Sequence, residues 1–83
     1  MEDAHLPDRV QTEGKYANHF RIGHNAFEFV IDFAQAHDNQ VATGSNTRVI
    51  TTPAYAKLLS AMLDESIHQY EEKYEEIPNV SER

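Results

Sequence analysis

Glu65 and His68 in the stretch ESIH stand three residues apart, the spacing with which helices of di-iron bundles present a carboxylate and an imidazole to metal. Such centres also need glutamates from facing helices inside a bundle core. On a helical wheel Glu65 and His68 fall on the polar side, away from Leu59 and Tyr70, so solvation explains them better. They are the chain's metal candidates, and no metal is expected. Glu28 and Asp32 invite an acid/base reading. Four residues along a strand cover about 13 Å, wider than the roughly 6.5–9.5 Å of an inverting carboxylate pair, so in one chain they fail as a catalytic couple. The expectation is that they line a polar sheet face with His19, Arg21 and Arg48, and meet cross-strand cations there.

The remaining signals are weaker. His19, His24 and His37 do not match a zinc-site spacing. Ser45, Ser60, Ser66 and Ser81 lack the strand–turn–helix setting of a nucleophile elbow. TGSN has one glycine and no following lysine, so it is not a phosphate loop. No catalytic residue and no cofactor are assigned, and an enzyme is not expected.

The elements that position these residues follow from period. From Tyr16 the period becomes two: Tyr16, Asn18, Phe20 and Ile22 share one, mostly apolar, face, and Ala17, His19 and Arg21 the other. Gly23, His24 and Asn25 supply a turn. In AFEFVIDFA, Phe27, Phe29, Ile31 and Phe33 alternate with Glu28, Val30, Asp32 and Ala34, which completes a hairpin. QAHDNQVATGSN is a loop with strand character at Val41, and the β-branched run Thr47 to Thr52 is a third strand.

Thr52 and Pro53 announce a helix, threonine as N-cap and proline at the first position, where its missing N–H had no partner. Steps of 100° place Tyr55, Leu58, Leu59, Met62, Leu63, Ile67, Tyr70, Tyr74 and Ile77 on one broad face of a helix running from Pro53 to Ile77. Near its end EEKYEE sets like charges four apart, Glu71 with Glu75 and Glu72 with Glu76, at a terminus that prefers cations. The expected fold is α+β. A three-stranded antiparallel sheet, built from the N-terminal hairpin and the third strand, is covered by one long C-terminal amphipathic helix. Residues 1–14 read as a mobile arm, 15–77 as a single β-β-β-α domain and 78–83 as a frayed tail.

The chain has 83 residues and no cysteine. A domain this small buries only about 60% of its unfolded surface, and no disulfide or thiolate metal cluster can supplement its core. A second copy is the natural supplement. A helix from Pro53 to Ile77 runs roughly 37 Å, a strand of eight or nine residues about 28 Å at most, so Tyr70, Tyr74 and Ile77 outrun the sheet. Those residues are the expected seam of a homodimer with C2 symmetry. The formal charge of −7 opposes binding to nucleic acid and suits a basic protein partner, for which Glu71, Glu72, Glu75 and Glu76 are the candidate contacts. No membrane span is expected, and the chain reads as cytoplasmic.

Taken together, Tyr16 with Asn18, Glu28-Phe29 with Asp32-Phe33, Arg48-Val49, Thr52-Pro53 with Ala56-Lys57, and Tyr70-Glu71 resemble the plan of a small bacterial and archaeal family, domain of unknown function thirty-four sixty-seven. The resemblance runs from Tyr16 to about Ile77, with HDNQVATGSN more polar than the family's usual loop. It implies the β-β-β-α architecture and no activity. Three functions follow as expectations: a small acidic dimeric protein-interaction or adaptor module; a ligand- or metal-binding protein using the polar sheet face and histidines; and an acidic antagonist of a nucleic-acid-binding protein.

Overall fold

The computed structural model describes residues 13–80. The arm expected over 1–14 lies almost wholly outside the described residues, as does the end of the tail. Within them the chain is α+β: β1 (His19–His24), β2 (Phe29–Ala34), β3 (Ala36–His37), β4 (Gln40–Val41), β5 (Thr47–Thr51) and α1 (Pro53–Lys73). β1, β2 and β5 form a three-stranded antiparallel sheet in that order, so β2 is central and β1 and β5 are edges.

The hairpin turn lies later than its glycine suggested. Gly23 and His24 stay in the ladder, opposite Val30 and Phe29. The reversal is made by Asn25, whose side-chain oxygen accepts from the N–H groups of Phe27 and Glu28 at 2.8 and 3.0 Å, while its own N–H donates to the Glu28 carbonyl. An asparagine bonding its neighbours' backbone is a self-contained turn. Phe27 and Glu28 therefore belong to the turn rather than to the second strand. Tyr16 and Asn18 likewise precede β1 instead of opening it.

Asn18 still extends the sheet, by its side chain. Its carboxamide accepts from the Ala36 N–H at 2.7 Å and donates to the Ala36 carbonyl at 3.1 Å, doing for one peptide what a neighbouring strand would do. The next stretch, expected to be a loop, is a second small hairpin of β3 and β4. Its two turn residues, Asp38 and Asn39, both have positive φ, 54° and 68°. That is the geometry of a tight turn whose twist matches the strands, and Asp and Asn are the non-glycine residues that tolerate it. Ser45 closes the segment by accepting from the Gln35 N–H and donating to the Ala42 carbonyl.

α1 begins where the sequence places it. Thr52 is the N-cap, its hydroxyl accepting from the Tyr55 N–H at 3.2 Å, with Pro53 just inside. It ends at Lys73, four residues short of Ile77. Continuation would stack Glu71 on Glu75 and Glu72 on Glu76. Instead the chain turns after Tyr74, and the Glu71 carboxylate accepts from the Ile77 N–H at 2.9 Å.

Burial is sparse. Among the described residues only Ile31 and Ala34, at 8% and 2% exposed, are buried, and α1 buries none. The helix is thus not the cover for the sheet that its amphipathic face led us to expect within one chain. At 21 residues it is about 31 Å long, whereas β1, β2 and β5, with five or six residues each, span about 17–20 Å. No helix is long and apolar enough to cross a membrane, among the described residues.

Candidate interaction surface

The register sorts the sheet into two faces. One carries the rows Phe20–Phe33–Thr47, Ile22–Ile31–Val49 and His24–Phe29–Thr51. Phe20 and Phe33 meet edge to face with ring centres 5.8 Å apart, and His24 stacks on Phe29 at 5.3 Å, so the face is ordered by its own cross-strand pairs. Ile31 at its centre is buried. At its margins Phe20, Ile22 and Val49 are exposed, Ile22 by 67%.

The other face carries the row Arg21–Asp32–Arg48 across all three strands. Asp32 receives both Arg48 Nε and a terminal guanidinium nitrogen, at 2.8 and 2.9 Å, a forked pair that fixes geometry as well as charge. The hydrogen bonds from Arg48 hold the Asp32 carboxyl below its ordinary range; desolvation opposes this, and the charges of Arg48 and Arg21 add to the lowering. His19 sits opposite Ala34 at the end of this face, and Glu28 lies in the turn, off it. A cleft of about 360 Å3 runs along the face, lined by Arg21, His24, Asn25, Asp32 and Arg48 among others. Broadly open to solvent, with its carboxylate already committed to Arg48, it presents no convergent set of groups.

The residues weighed for metal separate on α1. Glu65 accepts from Gln69 and His68 pairs with Glu72 at 3.2 Å, each one turn along the helix. Among the described residues no group of three or more His, Asp or Glu side chains converges on a point that could hold a metal ion.

The largest feature is the apolar face of α1. Tyr55, Leu58, Leu59, Met62, Leu63, Ile67 and Tyr70 run its full length, and their exposure ranges from 39% at Ile67 to 64% at Tyr55. Beyond the helix end, Tyr74 and Ile77 continue the surface, Tyr74 against Tyr70 with ring centres 4.8 Å apart. Sequence reasoning reserved only Tyr70, Tyr74 and Ile77 for a partner and gave the earlier residues to the sheet. The signal it passed over is width. At 100° per residue the arc from Leu58 to Ile67 covers roughly 180°, against the roughly 100° that one contact surface needs.

The chain matches the family described as protein of unknown function (DUF3467) over residues 4–79, and it belongs to that family. No curated protein and no solved structure matches it.

Proposed function

We propose that this chain is a small acidic protein-interaction module of the adaptor kind, a homodimer without catalytic activity, working in a reducing cytoplasm. One observation carries the reading: the apolar side chains of α1, which a stable domain buries, lie open along the whole helix. Monomers seldom leave so large a contiguous apolar surface in water. A second copy supplies what a chain of this size lacks, since the interface of an obligate dimer is a domain core cut in two.

Dimerisation through the apolar arc leaves the polar side of α1 outward. Glu71 and Glu72 in its last turn, with Glu75 and Glu76 in the segment that follows it, are then the acidic side chains offered to a basic protein surface, in a contact weakened by salt. The Arg48–Asp32 pair ties the sheet's polar face together and needs no ligand to explain it. Light scattering on the purified chain tests the reading. The expected mass is about 19 kDa, twice the 9.5 kDa of one chain, and a mass of 9.5 kDa at micromolar concentration would overturn it.

A further inference from the structure

We infer that the two copies exchange helices: α1 of each chain lies on the apolar sheet face of the other, the face made by Phe20, Ile22, Ile31 and Val49. This rests on the homodimer proposed above and specifies what covers what. Three features of the fold support it.

The first is the joint between sheet and helix. β5 ends at Thr51 and α1 starts at Pro53, so Thr52 alone connects them, extended at φ −80° and ψ 161°. Connections that lay a helix back on its own sheet usually take about two to six residues. Here the single linking residue is already committed as N-cap, and a residue before proline is kept out of the helical region. The joint is short and stiff, and it leaves from an edge strand.

The second is that both complementary surfaces stand open in the same chain. Ile22 and Val49 on the sheet are 67% and 44% exposed, and Leu59 and Met62 on the helix are 47% and 60% exposed. A short hinge between two surfaces that fit each other but not within one chain is the setting in which an element is exchanged between copies.

The third is the lack of cover. Among the described residues only Ile31 and Ala34 are buried, and α1 buries none, so the sheet face and the helix face both lack a cover within one chain. A contact between two helices alone would leave the sheet margins bare. Exchange uses both surfaces, and the wide arc on α1 lets one flank meet the partner's sheet while the other meets the partner's helix across the two-fold axis.

The test uses the unaltered chain. Dimers are assembled from isotopically labelled and unlabelled protein, and isotope-filtered NMR selects contacts between copies. Exchange gives cross-peaks from the methyl groups of Ile22 and Val49 of one copy to Leu59 and Met62 of the other. A dimer whose only contacts between copies are helix to helix, or whose sheet-to-helix contacts all lie within one chain, would overturn the exchange and leave the homodimer standing. A monomeric mass in the same sample would remove both.

Discussion

Leu59→Ala isolates the contribution of the helix face, because Leu59 lies near the middle of the apolar arc and is left about half exposed. Burying a leucine completely is worth about 1.5–3 kcal/mol. Leu59 is 47% exposed in one chain, so about half of that, roughly 1 kcal/mol, is left to be gained from a partner. A two-fold dimer loses it twice. The dimer dissociation constant should therefore rise by about 30-fold, for roughly 2 kcal/mol, and a cavity left in the interface would add to this. Alanine is the strongest helix former, so the helix itself is not weakened. Sedimentation equilibrium over a dilution series reads the constant, and circular dichroism at high concentration checks that helix content is unchanged. A variant that dimerises within about threefold of the parent, under about 0.7 kcal/mol, would refute the placement of Leu59 in the seam.

Three further outcomes follow from particular contacts. Asn18→Ala removes both hydrogen bonds to the Ala36 peptide and should cost about 1–2 kcal/mol in chemical denaturation; an unchanged midpoint would show that this clasp does not hold β3 to the segment before β1. Asp32 has its pKa lowered from 3.8 on folding, so its contribution to stability is full above that value and is lost as pH falls through the folded one. NMR titration of the Asp32 carboxyl should accordingly move up towards 3.8 in Arg48→Lys, which loses the forked contact, and an unshifted curve would exclude Arg48 as the main cause. Replacing Glu75 and Glu76 together by lysine should lengthen α1 towards Ile77, seen as added helical dichroism, since it turns the repelling pairs with Glu71 and Glu72 into attractive ones; no gain would point to the Glu71–Ile77 contact as the stop.

Much of this fold is legible in the residues, for local reasons. The strand ladder is written in the alternation of Phe29, Ile31 and Phe33 against Val30, Asp32 and Ala34, and the start of α1 in Thr52-Pro53. Of Gly23, His24 and Asn25, which read together as the turn, only Asn25 builds it, through its side-chain oxygen, while Gly23 and His24 stay in the ladder. β3 and β4 were hidden because two-residue strands carry no period. The helix end was misjudged by one turn because the apolar spacing of Tyr74 and Ile77 runs on past the point where Glu75 and Glu76 oppose it. The candidate surface was half legible. Its apolar residues are plain on the wheel, but periodicity does not weigh the single residue between β5 and α1, and so does not say whether such a stripe lies on its own sheet.

In the proposed dimer, α1 owes its persistence to the second copy. A lone helix of 21 residues with no buried side chain is marginal in water. Hydrogen exchange of the α1 amides, followed across a dilution series, tests this most directly. Protection that is strong at high concentration and falls as the dimer dissociates is the expected result, and protection unchanged between the dimer and a demonstrated monomer would contradict it.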